Sequence, residues 1–363
     1  MYAAARGALG DAPLQTSPLV RAIHDRSARY TSDRARLSRP EDPVGDLAAR
    51  AVFFTIADAM KIAVPLGELA NRGALPAARP LRVIDLGAGC GAMSLGLVAS
   101  LSAPLQITAI DRDTAALGIA ATAVRGYADR RGATVELATR TADATNAKLD
   151  RCDLVVIGTL LNELTAPDRL AVTLRALAAI EDDGAVIILE PALRETSRGL
   201  HELRDAVLAR GAGHVFAPCT RAGAPCPALA DPSDWCHEDR PVRLPPRTAE
   251  LARLTHLRDD GLKFSYLVLR KQPLALVDAP GAWRIVSAPH VQKGKLEVFG
   301  CSDAGRVRLR LLKRNRAAAN RELERARRGD VIVTDAPRDG ERVEITRESI
   351  VERREPSKRD DDT

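Results

Sequence analysis

Between Leu81 and Lys271 the chain alternates apolar, β-branched runs with helical patterns, and that alternation limits its fold more than any other feature. LRVIDLG (81–87), LQITAID (105–111), part of VELATRTAD (135–143), the start of CDLVVIGTLL (152–161) and GAVIILEPA (184–192) read as five strands. GAMSLGLVASL, TAALGIAATAVRGYADRRG and APDRLAVTLRALAAI read as helices between them, and SRGLHELRDAVLARG as a helix after the fifth. Strands this apolar need both faces covered, which indicates a parallel sheet with helices on either side. KFSYLVLRK (263–271) is expected to add a last, antiparallel strand. The expectation is an α/β, Rossmann-like doubly wound sheet over residues 80–272.

The first strand runs into VIDLGAGCGA, which sets Asp85, Gly87, Gly89 and Gly91 before a helix. Glycines there allow a tight turn and close approach of a ligand to the backbone. The run also fits the dinucleotide pattern G-x-G-x-x-A. An acid two residues before the first glycine, and a third glycine at alternate spacing, instead resemble the first motif of class I methyltransferases. That resemblance implies S-adenosylmethionine as cofactor, with Asp85 meeting its ammonium end through the loop. Asp111, at the end of the second strand, is placed to accept both ribose hydroxyls, and Asp143, after the third, to meet the adenine amine.

The fourth strand leads into IGTLLNEL, without the N/D-P-P-Y/F run that orients an attacking nitrogen. Pro218-Cys219 follows the fifth strand, not the fourth, so it is out of place for a pyrimidine-methylating nucleophile. Glu163 reads as a general base or a solvent-facing cap, and no catalytic residue is assigned.

Around this domain, residues 1–79 are expected to be an N-terminal helical segment. Its first 45 residues read as a loose arm, and Asp46–Leu69 as a helix or two broken near Pro65. Residues 273–340 alternate in short, turn-rich runs and are expected to form a small β module; 341–363 read as a charged tail. Residues 306–328 hold ten Lys/Arg against two Glu. Arg306, Arg308 and Arg310 would share one strand face suited to phosphates, followed by Lys313, Arg314, Arg316, Arg321, Arg325, Arg327 and Arg328. The net charge of +6 also points to an anionic partner, while 3% aromatics disfavour a binder built on base stacking.

Three of the six cysteines, Cys219, Cys226 and Cys236, fall within the Pro-rich stretch 217–238. Six thiols in 363 residues are too few for a disulfide scaffold. MYAAARGALGDAPLQ has no apolar signal core, and no run approaches the roughly 18 apolar residues of a membrane span. A reducing cytoplasm is therefore expected, with no membrane association. In a reducing compartment such a cluster points to metal or catalysis. A loop has no core to bury thiols in, and bound metal would supply the organising energy. The spacing C-x₆-C-x₉-C matches neither a zinc pair nor a ferredoxin run, so zinc, an iron–sulfur cluster or no metal all stay open. Cys301 is the best fourth thiol. Cys90 lies in the glycine loop, Cys152 starts a buried strand, and His237 is a ligand or a supporting donor.

EPALRETSRGLHELRDAVL, FAPCTRAGAPCPALADPSDWCHEDRPVRLP, a following strand and a late cysteine together resemble the methyltransferase-like assembly factors of the mitochondrial small ribosomal subunit, with their bacterial relatives. The resemblance spans most of residues 20–335, and RARRGDVI (325–332) matches the closing element. It implies a [4Fe–4S] cluster on Cys219, Cys226, Cys236 and Cys301, and association with small-subunit rRNA in ribosome assembly or translation. Arg328 replaces the family's aromatic before the closing Gly-Asp, and Arg221 with a longer polar gap replaces its His-Asp. The expected function is thus a cofactor-binding, iron–sulfur protein of the small subunit, monomeric. The alternative is an active methyltransferase of another RNA, a protein or a small molecule.

Overall fold

The computed structural model describes residues 1–33, 36, 40–221, 223, 225–258, 261–354 and 356. Before the first sheet the chain forms α1 (Tyr2–Leu9), α2 (Thr16–Thr31), α3 (Pro43–Ala49), α4 (Ile56–Ala59) and α5 (Ala63–Asn71), with a π-helical stretch, Arg50–Thr55, joining α3 to α4. The expected loose arm is instead packed: Ala5, Leu14, Leu19 and Ile23 are buried in one cluster with Ala48, Phe53 and Ile119. Leu19 and Ile23 stand four residues apart, so α2 needs only a narrow apolar stripe to dock, and its remaining faces stay polar. The helix break expected near Pro65 falls earlier, between α4 and α5. Pro65 sits in the first turn of α5, where a backbone N–H has no helical partner to lose.

The first sheet contains β1 (Leu81–Leu86), β2 (Leu105–Asp111), β3 (Val135–Thr141), β4 (Cys152–Gly158), β5 (Ile180–Pro191), β6 (His214–Ala217), β7 (Glu238–Arg240) and β8 (Leu262–Arg270). The strand order is β3-β2-β1-β4-β5-β8-β6, and β7 also pairs with β8. β1 to β5 run parallel, while β8 is antiparallel to β5 and β6. This is the Rossmann-like class I methyltransferase arrangement. Helices α6 (Ala92–Ser100), α7 (Thr114–Arg131), α8 (Ala166–Ala179) and α9 (Arg194–Ala209) cover its faces. The run from Asp153 to Ile157 on β4 is buried throughout, which is why the strand carries Leu and Val without alternation. The Asp113 side chain accepts from Ala116 N to start α7, and Gly132 ends it at φ +63°. The order reverses between β1 and β4, opening a crevice at the carboxyl ends of the strands. Strands β6 and β7 and helix α10 (Pro246–Thr255), too short or too polar to stand out in sequence, complete this body.

The second sheet contains β9 (Trp283–Ile285), β10 (His290–Gln292), β11 (Lys295–Ser302), β12 (Gly305–Leu312), β13 (Val331–Thr334), β14 (Arg338–Asp339), β15 (Arg342–Ile345) and β16 (Val351–Arg354), and it carries the short helix α11 (Glu322–Arg325). Its order is β14-β15-β12-β11-β9-β13-β16, with β10 on β11. The tail expected from residue 341 is corrected in part. Val343, Ile345 and Val351 bury into the module core, so β15 and β16 belong to the sheet and their charges lie between these apolar contacts. Residues 357–363 of that tail lie outside the described residues.

The module is seated on the body by a buried ionic network. Arg284 of β9 donates to Glu68 Oε1 of α5 at 2.8 Å, to Tyr266 Oη of β8 at 2.8 Å and to Glu238 Oε2 of β7 at 3.1 Å. Thr220 Oγ1 donates to the Cys301 carbonyl at 3.0 Å, and Arg221 donates to the Ser302 and Asp303 carbonyls. Arg328 donates to the carbonyls of His237 and Val286. Arg221 and Arg328 thus both tie the Cys-rich segment to the module.

Candidate cofactor cleft and thiol cavity

A cleft of ≈1140 Å³ opens over the carboxyl ends of β1, β2 and β4, walled on the other side by α2, α3 and the π-helical stretch. Gly87, Gly89, Asp111 and Asp143 line it, whereas Asp85 and Gly91 lie behind the loop. Gly87 and Gly91 take φ +76° and +87°, and a Cβ on Gly87 would fall 2.8 Å from Leu160 Cδ2. Asp85 is fully buried and accepts from Ser94 N at 3.0 Å and Ser94 Oγ at 2.6 Å. Burial pushes its carboxyl up to about 6. Asp85 therefore braces the start of α6 beneath the loop, one layer behind the cleft wall.

Asp111 spans the loop: Oδ2 accepts from Gly89 N at 2.8 Å and Oδ1 from Asp113 N at 2.8 Å. Each oxygen keeps a lone pair for a hydroxyl donor. Asp143 Oδ1 accepts from Thr145 N at 2.8 Å and Thr145 Oγ1 at 2.6 Å, which holds its carboxyl low.

The segment after β4 is anchored from below. Glu190, at the end of β5, is buried and accepts from Leu161 N and Asn162 Nδ2, both at 2.8 Å. Burial pushes its carboxyl up to about 7. Thr159, ahead of that segment, takes φ +58°, an uncommon conformation for a threonine that marks a constrained turn at the cleft. Glu163 faces the cleft and accepts from Tyr30 Oη at 3.0 Å. Arg26 donates to Tyr30 Oη at 3.0 Å and to both oxygens of Asp46, which also pairs with the buried Arg29. Tyr30, Arg26, Asp46 and Arg50 were missed in sequence because they come from the segment read as arm and isolated helix. Glu190 was visible only as part of an E-P motif without a role.

Cys219, Cys226, Cys236 and Cys301 line a second cavity, of ≈60 Å³, between the body and the module. Cys90 and Cys152 lie elsewhere, buried in the glycine loop and at the start of β4. Among the described residues, no group of three or more His, Cys, Asp or Glu comes together in an arrangement that holds a metal ion. The four thiols thus share one cavity without being drawn into such a group. Burial pushes the Cys226 thiol up to about 11 and Cys236 up to about 12, and raises Cys301 as well. Cys226 N donates to Asp205 Oδ2 at 2.9 Å and Cys236 N to His201 Nε2 at 3.0 Å, so α9 fixes the Cys-rich segment from one side. Burial lowers His201 to about 4, which keeps it the neutral acceptor that contact requires. His237 lies on the same cavity wall, stacked on Trp235 with ring centroids 6.1 Å apart. Arg204, Arg221, Arg284, Arg306 and Arg328 also lie on its wall, with Glu238 among them.

On the module, Arg306, Arg308 and Arg310 do share the outward face of β12, while Val307, Leu309 and Leu311 are buried. Part of that charge is spent locally: Arg306 pairs with Asp234, and Arg310 pairs with Glu344 at 2.6 Å. Arg308 is exposed, with its guanidinium 5.4 Å from the Phe299 ring centroid. No helix among the described residues is long and apolar enough to cross a membrane.

A family model described as mitochondrial small ribosomal subunit Rsm22 matches residues 52–333, more than half of the chain. A carboxy-S-adenosyl-L-methionine synthase of Psychrobacter arcticus is 32% identical over 114 residues, which span 31% of this chain and 42% of that protein. Among solved structures, a magnesium protoporphyrin IX methyltransferase from Synechocystis PCC 6803 with bound SAM is similar at a TM-score of 0.38 and 12% identity, covering 69% of this chain and 97% of that one. A putative RNA methyltransferase from Pyrococcus horikoshii is similar at a TM-score of 0.34 and 13% identity, covering 70% and 96%.

Proposed function

The chain belongs to the mitochondrial small ribosomal subunit Rsm22 family, and from that premise we propose that it is an S-adenosylmethionine-binding, [4Fe–4S]-containing protein that contacts small-subunit rRNA during ribosome assembly. The observation that carries this reading is the meeting of Cys219, Cys226, Cys236 and Cys301 on one cavity wall, although 82 residues from Cys219 to Cys301 separate the ends of the set. Four thiols suit an iron–sulfur cluster. The ≈60 Å³ void is several times the roughly 10–15 Å³ that one water needs. Arg221 and Arg328, which line this wall and bond to backbone carbonyls, would offset part of the negative charge that four thiolates and a cluster bring. When bound, the cluster supplies a covalent link between body and module that is lost on oxidation or iron shortage.

The cleft supports the cofactor half of the reading. Asp111 retains acceptor capacity that suits ribose hydroxyls, Asp143 lines the same cleft and suits the adenine amine, and Gly87 and Gly89 leave the backbone open to a ligand. The outward arginines of β12 support phosphate contact. Methyl transfer is not assigned: IGTLLNEL at the end of β4 carries no N/D-P-P-Y/F run, and Pro218-Cys219 follows the fifth strand instead of the fourth. We take the protein to act as a monomer in the bacterial cytoplasm, where thiols stay reduced.

Anaerobic purification tests the cluster. Brown protein with about four irons per chain, and colourless protein after Cys226→Ser, is the expected result. Zinc-loaded or metal-free wild-type protein overturns it. Labelled cofactor tests turnover separately: tritium entering RNA, protein or a small molecule would establish the methyltransferase alternative.

A further inference from the structure

The π-helical stretch Arg50–Thr55 carries Arg50 onto the glycine loop. Its Nη1 donates to Asp113 Oδ2 at 2.6 Å, and its Nη2 lies 3.3 Å from where a Cβ on Gly89 would stand. π-turns within helices recur at functional sites because the extra residue per turn redirects the side chains that follow. Arg50 is on the cleft wall, one-fifth exposed.

A cofactor gripped at its ribose and adenine by Asp111 and Asp143 still has an amino-acid end, whose carboxylate needs a cation. The other arginines on the wall are committed elsewhere. Arg26 and Arg29 share Asp46. Arg258 pairs with Asp58 at 2.9 Å and stacks on Phe54, and Arg112 reaches out to Glu163 at 3.9 Å. Only Arg50 of this set abuts the loop backbone. A guanidinium offers five donors in a planar fork, so one bond to Asp113 orients it without exhausting it.

We propose that Arg50 binds the carboxylate of the cofactor's amino-acid end and makes the cleft select nucleosides that carry it. This rests on the reading that the cleft takes S-adenosylmethionine. The test compares two probes on the full chain by calorimetry: S-adenosylhomocysteine, which has the amino-acid end, and 5′-methylthioadenosine, which lacks it. Arg50→Gln should weaken S-adenosylhomocysteine roughly 10- to 100-fold, the scale of one charge-assisted bidentate contact. 5′-Methylthioadenosine should change by less than about threefold. Arg50→Lys, which keeps the charge and is the milder change for folding, should retain a reduced preference for S-adenosylhomocysteine. Equal losses for both probes, or no loss in either variant, overturn the assignment while leaving the cofactor reading intact. Wild-type protein that binds neither probe overturns both.

Discussion

Replacing Arg284 by methionine should loosen the module from the body more than any other single change at their junction. Arg284 is 3% exposed and bonds to Glu68, Tyr266 and Glu238 at 2.8, 2.8 and 3.1 Å. Its removal leaves Glu68 and Glu238, 1% and 3% exposed, without their shared counter-charge. Tyr266 still donates to Glu68, and Arg240 still pairs with Glu238 at 3.3 Å, so neither carboxylate is wholly stranded. Breaking a buried ion pair from one side costs about 3–5 kcal/mol, chiefly through the charge left behind. Taking about 4 kcal/mol at roughly 1.3 °C per kcal/mol for 363 residues gives a fall of about 5 °C in Tm. The two tryptophans, Trp235 in the Cys-rich segment and Trp283 next to Arg284, both flank this junction. Urea unfolding followed by their fluorescence, alongside far-UV circular dichroism of the whole chain, separates undocking from global loss of structure. Adding Glu68→Gln should recover about half of the deficit, since one stranded charge is removed. A loss below about 1 kcal/mol in Arg284→Met, or no recovery in the double variant, would refute the uncompensated-charge reasoning.

Two further outcomes follow from the same geometry. Glu190 has its carboxyl pushed by burial from 4.5 up to about 7, so the folded chain holds that proton more tightly than the unfolded one. Its stabilisation is complete below about pH 4.5 and lost as pH rises through 7, roughly 3 kcal/mol in all; Glu190→Gln should flatten this part of the stability–pH curve, and an unchanged slope would discount the carboxyl. Arg308 is exposed whereas Arg310 is paired with Glu344, so Arg308→Ala should lower the salt slope of RNA binding by about one and Arg310→Ala by less; equal effects in filter-binding titrations would count against local pairing as the deciding factor.

How far residues alone reach is clearest by comparing particular segments. The five apolar runs, the glycine loop and the acid closing β2 announced the class I fold and half of the cleft, because strand burial and tight turns depend on neighbours in sequence. The alternation Val307, Leu309, Leu311 likewise placed three arginines on one face before any coordinates. Tertiary structure decided what depends on distant contacts. It turned a polar N-terminus into packed helices that roof the cleft, sent Asp85 beneath the loop, and brought Arg50 against Gly89. It also gathered Cys301 with three thiols 65 to 82 residues away. Periodicity records which face of an element is buried; which other element buries it, and therefore which charges meet there, is settled only when the sheets close over one another.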